Sequence, residues 1–384
     1  MLKKMPFRSE SEKARKAFDS TLDENSYFTA TQRQLIWRDF KKHKVALISC
    51  LVLLILYITA TFCEFFSPHD PLGRNRKYVN APPQMIHIFD EDGLSRPFVY
   101  GYKQKLDRET LRRNYVIIKD QKHTIRFFVR GADYELFGIY KTNWHLFGVG
   151  EGETLYLLGA DPLGRDMLTR ILYASRVSLF IGLIGVILSF ALGATLGALA
   201  GYYGGTVDLI IERLIEFLRS IPTIPLWMGL SAALPSSWSA LQIYFGITII
   251  ISLIGWTSQA RVVRGKFLEL REEEFIMAAR LCGTKDLKII TSHMIPGFMS
   301  YLIVSATLSV PYMILAETVL SFLGLGLKPP IISWGVLLQS AQNVQTVALS
   351  PWQLLPVVFI VLTVLAFNFV GDGLRDAADP YKNR

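Results

Sequence analysis

The chain has 384 residues, of which 51% are hydrophobic and only 19% are charged, and its mean hydropathy is +0.31. Soluble domains carry about 25% charged residues, so this composition excludes an ordinary soluble enzyme and a disordered chain. The formal net charge of +9 would suit a nucleic-acid partner, and the placement of the charges has to decide that point. The three cysteines are too few and too scattered for a disulfide framework or a zinc site.

Six segments are apolar over the length of about 20 residues that a membrane-spanning helix needs. The first predicts transmembrane helix 1 at 45–65. It lies too deep in the chain for a signal peptide and lacks a small-residue cleavage site. Transmembrane helices 2–6 are predicted within 177–371, over the segments 177–207, 209–234, 238–261, 289–316 and 356–370.

Lys and Arg near the span ends predict the orientation. Five basic residues precede the first span, and the loop 259–296 carries seven more, whereas 234–242 and 323–352 carry only Lys328. The tails 1–44 and 372–384, the latter with Lys382 and Arg384, are therefore expected to be cytoplasmic. Topology and contact with lipid explain the positive charge better than nucleic acid does.

The segment 66–176 is predicted to be an external insertion. It exceeds the length of about 60 residues within which the charge rule operates, and its short apolar runs are separated by Gly, Asp and Asn, which is typical of strands and turns. It contains no cysteine, so disulfides cannot stabilise it. The fold class predicted is an all-α polytopic membrane protein with six transmembrane helices and a small β-rich insertion between helices 1 and 2.

No catalytic, metal or cofactor site is predicted. The six histidines are dispersed, without the spacing that places two ligands on one helical face. No Gly-rich loop ending in Lys-Ser or Lys-Thr is present to hold ATP phosphates. Any ATP and Mg²⁺ would therefore have to be bound by partner subunits.

Charged residues inside the apolar segments are informative because burying them is costly. Glu317 alone lies deep within such a segment. It is a carboxylate near the outer end of the fifth span, one bonded inside the bundle, or a group with a coupling or substrate role. Four residues near the start of the third segment share helical spacing and are predicted to form ion pairs at the cytoplasmic rim: Glu212, Arg213, Glu216 and Arg219.

The loop 259–296 is the most informative stretch. Apolar residues from Phe267 to Leu281 recur with a helical period between charged ones, which predicts an amphipathic helix. Gly283 can end it, and a second short helix would run to Pro296. On its shape alone, this hairpin either caps the bundle or docks into a groove on a cytoplasmic partner.

Ala278-Ala279-x-x-x-Gly283 followed by Ile295-Pro296 resembles the "EAA" loop of ABC importer permeases, whose coupling helix docks on the ATPase subunit. Met277 stands where a Glu is usual in that family, and His293 where an Ile is usual. The resemblance implies an ATPase-docking loop that comprises Glu274, Met277, Ala278, Ala279, Gly283, Ile295 and Pro296.

Further segments resemble the dipeptide/oligopeptide "C" branch of these permeases: the stretch 159–166 continuing to Arg170, the stretch 317–326, and Ser333-Trp-Gly335. The resemblance covers roughly 32–67 and 157–381 and leaves 80–152 unexplained. It implies external pore-mouth motifs at Asp161, Gly164, Arg165, Asp166, Arg170, Glu317 and Trp334. It also favours a structural role for Glu317.

The resemblance implies one of two permease subunits of an ATP-driven importer in a bacterial inner membrane. A homologous permease, two ATPase subunits and a periplasmic or lipid-anchored solute-binding protein would be its partners. Peptides are the expected substrates, with oligosaccharides, opines or metal chelates as alternatives. A stand-alone secondary transporter or channel is the alternative from another class, and a membrane-anchored sensor is a weaker third.

Overall fold

The computed structural model describes residues 31–90, 93–106, 113–136, 138–150, 152–235 and 237–378. Most of the predicted amino-terminal tail, Lys382 and Arg384 lie outside these residues. The described part is mainly helical with one β-rich insertion, as predicted. The predicted class, a polytopic helical protein with a β insertion between its first two spans, is confirmed.

The chain enters through two helices, α1 (Gln32–Lys42) and α2 (Lys44–Thr61), and a single turn, α3 (Cys63–Phe66). His43 separates the first two, and its Nδ1 accepts a hydrogen bond from the backbone N–H of Ala46 (3.1 Å). One side of α2 is buried in the bundle, while the other leaves Leu51, Leu54, Ile55 and Ile58 exposed. Such an apolar exposed side is suited to lipid.

The insertion holds five strands in two antiparallel sheets, of order β1-β2-β3 and β4-β5. The strands are β1 His87–Asp90, β2 Gly93–Leu106, β3 Arg113–Thr124, β4 Arg126–Leu136 and β5 Tyr140–Gly148. Val99, Ile125 and Leu155 form a small buried core. His145 joins β5 to the end of the first span, because its Nδ1 lies 3.2 Å from the carbonyl oxygen of Glu64.

Five helices among the described residues are long and apolar enough to span a membrane. They are α2 and four that follow the insertion: α4 Met167–Tyr203, α7 Ala240–Arg271, α11 Met299–Phe322 and α14 Leu355–Ala378. Helix α4 begins ten residues before the predicted start at 177, because the Asp166 side chain caps it by accepting from Thr169 N (2.8 Å).

The third predicted span is interrupted. It consists of α5 (Gly205–Ser220) and α6 (Thr223–Ala232), separated by Ile221-Pro222. Proline lacks the N–H that would continue the helix, and it drives the preceding residue out of the helical region; Ile221 is extended, with ψ 130°. The six predicted spans are thus five continuous helices and one broken pair.

The predicted single amphipathic helix in the loop is also divided. Helix α7 continues to Arg271, and a separate helix, α8 (Glu274–Leu281), begins after the extended Glu273. Acidic side chains are unfavourable at a helix C-terminus and favourable at an N-terminus, so the glutamate run at 272–274 ends one helix and starts the next. A turn α9 (Asp286–Ile289), a π-helical turn (Ile290–Met294) and α10 (Ile295–Gly297) then lead into α11.

Close packing of α4 against α7 forms the centre of the bundle. Glycines on α4 permit this approach, since a Cβ on Gly197 would lie 2.4 Å from the carbonyl oxygen of Ala260. Small residues serve in this way wherever membrane helices pack closely. Two short helices, α12 (Trp334–Leu338) and α13 (Val344–Leu349), fold back before α14.

Candidate functional site

Helix α8 of the loop exposes an apolar surface. Ile276 is its one buried residue among those described, whereas Phe275, Met277 and Leu281 are exposed, Leu281 to 90%. Leu287, in α9, is 73% exposed. Exposed apolar side chains clustered on one helical element mark an interaction surface.

The loop that contains α8 packs against the end of α4. The Arg280 guanidinium stacks 4.8 Å from the Tyr202 ring centroid, and the Tyr202 hydroxyl donates to Asp286 Oδ1 (2.7 Å). Ala279 packs on the buried cluster that contains Tyr202 and Phe267. The loop therefore contacts the end of a spanning helix directly.

The other predicted loop residues form its ends. Gly283 ends α8 with φ +75°, and the next backbone N–H, that of Thr284, donates to Ala279 O (3.1 Å), as glycine-terminated helices do. Glu274, Ala278 and Pro296 are exposed, and Ile295 is half-buried. Within the described residues, the ion pairs include neither Glu273 nor Glu274.

Asp161 organises the segment just before α4. Its carboxylate accepts from the backbone N–H of Leu163 (2.8 Å) and Arg165 (2.9 Å), and from Arg165 Nε (2.7 Å). Arg170 Nη1 lies 3.2 Å from the same carboxylate, in an ion pair without hydrogen-bond alignment. The arrangement joins the loop to the first turn of α4.

Gly164 and Asp166 shape the turn that leads into α4. Gly164 adopts φ +74°, and a Cβ there would lie 1.9 Å from Asn75 O, so only glycine permits this contact. Asp166 caps α4 from a buried position, and that burial raises the pKa of its carboxyl above the usual value, partly offset by the nearby His69.

Glu317 lies at the centre of a buried hydrogen-bond network and has no exposed surface. Ser321 Oγ donates to its Oε1 (2.7 Å) and Ser178 Oγ to its Oε2 (3.3 Å). Ser178 in turn accepts from Trp334 N (3.1 Å), and Trp334 Nε1 donates to Ser175 Oγ (3.2 Å). The network connects α4, α11 and α12.

The two predicted sets of residues lie at opposite ends of α4. Asp166 and Arg170 are at its start, and Tyr202, which holds α8, is at its end. At 1.5 Å per residue, the helix separates them by about 50 Å. Any effect of one end on the other must therefore pass through the bundle.

The sequence analysis missed ion pairs that join one helix to another. Arg176 Nη1 donates to Glu64 Oε1 (2.6 Å), joining α4 to α3. Arg264 Nη2 donates to Asp208 Oδ2 (2.6 Å), joining α7 to α5. The signal available was Glu64 itself, a carboxylate directly after an apolar span.

The predicted ion pairs of α5 form only in part. Arg213 pairs with Glu216 on the same helix (2.6 Å), whereas Glu212 pairs with Arg261 on α7 (3.4 Å). Arg219 forms no ion pair among the described residues; its Nη1 donates to Ser258 Oγ (3.2 Å) instead. Among the described residues the prediction was therefore wrong for Arg219, whose hydrogen-bond partner lies on α7 and not on its own helix.

Arg219 lines a cavity of about 310 Å³ beside the α5–α6 break, bounded by α4, α7 and α11. This central cavity includes Ser189, Thr223, Gln259 and Ser309 in its walls. The sequence analysis did not single out these polar groups, because they are uncharged and lie within long apolar segments.

Spanning helices, a broken helix beside a polar cavity and a projecting loop define a multi-pass membrane transport component. A family model described as "Binding-protein-dependent transport system inner membrane component" matches residues 193–384, and the "N-terminal TM domain of oligopeptide transport permease C" matches 31–83. The chain therefore belongs to the family of binding-protein-dependent permeases, the membrane subunits of ABC importers, which confirms the resemblance. It is a permease subunit and not itself an enzyme.

Two curated relatives come from Bacillus subtilis (strain 168). The dipeptide transport system permease protein DppC is 31% identical over 350 residues, 91% of this chain and 85% of the relative. The oligopeptide transport system permease protein OppC is 36% identical over 90% of each chain. Among solved structures, the MetNI methionine ABC transporter in an inward-facing form overlaps 55% of this chain and 97% of its own, at 17% identity and a TM-score of 0.43.

Proposed function

We propose that this chain forms half of the translocation pathway of an ATP-driven importer of di- and oligopeptides. A homologous permease subunit forms the other half, and two ATPase subunits bind ATP and Mg²⁺ beneath them. A periplasmic or lipid-anchored solute-binding protein delivers the peptide. Both termini lie in the cytoplasm, consistent with the basic residues around 33–44 and in the loop 259–296. The length over which the two peptide permeases match supports this substrate class.

The observation that carries the proposal is the exposed apolar face of α8, within the predicted ATPase-docking loop. Helix-in-groove recognition uses such a face. Closure of the ATPase pair moves α8, and the contacts of Arg280 and Asp286 with Tyr202 transmit that movement to α4.

A second connection leads to the central cavity. Helix α7 continues directly into the α8 loop, and its Arg264 and Arg261 are paired with Asp208 and Glu212 on α5. Helix α5 ends at the break beside the cavity. A shift of α7 therefore displaces the cavity wall, and different contacts in two states are what coupling requires.

The test is copurification of the tagged chain with its genomic neighbours, comparing wild type with Leu281→Glu. Because Leu281 is 90% exposed, the substitution leaves the fold intact while placing a charge in the docking face. We expect loss of the ATPase subunits with the partner permease retained. Gly283→Asp and Ala279→Glu should act in the same direction.

The matched control is Ile139→Glu, at a residue of similar exposure (88%) in the β insertion, which should retain every subunit. Purification of the wild-type chain alone, with transport in liposomes without ATP, would contradict the proposal. It would favour the secondary-transporter alternative instead.

A further inference from the structure

The central cavity lies near the middle of the spanning helices. Its wall includes Ser189 on α4, Ser258 on α7 and Ser309 on α11, each well inside its helix. Thr223 and Arg219 flank the α5–α6 break on another side. Irregular backbone at membrane depth is tolerated where it lines a water-filled cavity or is buried in protein, so the break fits this position.

The lining is polar in a way that lipid-facing helices are not. Gln259 Nε2 donates to Ser309 Oγ (2.7 Å), and Gln259 Oε1 accepts from Ser305 Oγ (2.9 Å). These side chains hold each other in place across α7 and α11. Polar groups inside a membrane are costly and point to a solute pathway.

Arg219 is the only charged residue that lines the cavity in the described part of the chain. The other charged residues of α5 are engaged elsewhere, in ion pairs with Arg261, Arg264 or one another. A guanidinium has five donors, and within the part of the chain that the structure describes Arg219 makes one hydrogen bond, to Ser258. A cation with spare donors at a polar, partly enclosed site favours an anionic ligand.

We propose that Arg219 binds a carboxylate group of the peptide as it passes through the central cavity. The inference rests on the proposed function, since it names the contact that the transported peptide makes. The planar fork of arginine fits a carboxylate in a bidentate manner. A volume of about 310 Å³ is at the lower end of the range for small-molecule sites, about 300–1,000 Å³, and suits a peptide end better than a whole oligopeptide.

The first experiment measures ATP-driven uptake of trialanine into liposomes that contain the full complex, with saturating binding protein. We expect Arg219→Gln to reduce uptake about tenfold, the scale of one charge-assisted hydrogen bond. Arg219→Lys should retain more activity than Arg219→Gln. Arg213→Gln, on the same helix and paired with Glu216 outside the cavity, should behave as wild type.

Trialanine amide lacks the C-terminal carboxylate and therefore tests whether that group is the one Arg219 binds. For each variant, uptake is expressed relative to wild type with the same peptide, so that selection by the binding protein cancels. Arg219→Gln should reduce uptake of the amide much less than uptake of the free acid. An equal loss for both peptides, or a loss below twofold for the free acid, would overturn the assignment.

A second readout does not depend on delivery of peptide. Thr223→Cys is introduced into this chain after its own three cysteines are replaced by alanine. In the assembled complex, modification of this subunit by anionic and cationic methanethiosulfonate reagents is compared. The anionic reagent should react preferentially with Arg219 present and lose that preference with Arg219→Gln; an unchanged ratio would overturn the anion site. A complex that imports no peptide at all would overturn the proposed function, while the reagent ratio still decides the site.

Discussion

Glu317 shows how its neighbours determine the role of a buried charge. Its position in an apolar run was compatible with a coupling carboxylate or with a bonded structural group. Both carboxylate oxygens accept from serine hydroxyls, on α4 and on its own helix, and the side chain has no exposed surface. A carboxylate that exchanges protons with a pathway needs access to it, so the geometry favours the structural role.

Replacing Glu317 tests that conclusion. Glu317→Ala leaves the Ser178 and Ser321 hydroxyls without their acceptor, at about 1–3 kcal/mol for each buried group left unpaired. Glu317→Gln retains one acceptor oxygen and should lose less stability than Glu317→Ala. In detergent, the melting temperature should be highest for wild type, lower for Glu317→Gln and lowest for Glu317→Ala. The Gln variant should still transport with ATP; a variant that melts as wild type but cannot transport would contradict the structural role.

At the scale of elements, the sequence was sufficient for the spans and the β insertion but not for the breaks. A long apolar segment is enough to predict a span. The interruption at Ile221-Pro222 depends instead on proline, which breaks a helix without changing the apolar character of the segment. The split at the glutamates of 272–274 was likewise hidden, since the helical period continues across it. The motif residues were found in sequence, but their partners, such as Tyr202 for α8, depend on tertiary packing.

The packing of α4 on α7 offers a prediction with a matched control. Gly197→Ala places a Cβ 2.4 Å from Ala260 O, which forces two spanning helices apart. We expect the free energy of unfolding to fall by about 1–3 kcal/mol. Gly265→Ala changes a glycine on α7 whose added Cβ meets nothing within 4 Å. Its gain in helix propensity is about 1 kcal/mol, so it should melt at or above the wild-type temperature. Equal melting temperatures for the two variants would show that the close approach of α4 and α7 does not determine stability.

On the scale of the whole molecule, α6 contributes to two cavities, one near each of its ends. Thr223 lines the central cavity, and Ser231 lines a second cavity of about 570 Å³ with Leu234 and Lys328. Trp227 lies between them on the same face, four residues from each. Its ring lies 6.2 Å from that of Tyr312, which lines the central cavity, and we expect these two aromatic side chains to form a barrier between the cavities.

This barrier predicts opposite behaviour for two substitutions of Trp227. Its indole Nε1 is buried without a hydrogen-bond partner among the described residues, so Trp227→Phe removes no bond and keeps a ring in place. Trp227→Ala empties the position and should cost about 3–5 kcal/mol in stability. We expect Trp227→Ala, but not Trp227→Phe, to release a radiolabelled tripeptide from liposomes without ATP. If folded Trp227→Ala complexes hold the peptide as tightly as wild type, the closure lies elsewhere, and the two cavities are not successive parts of one path.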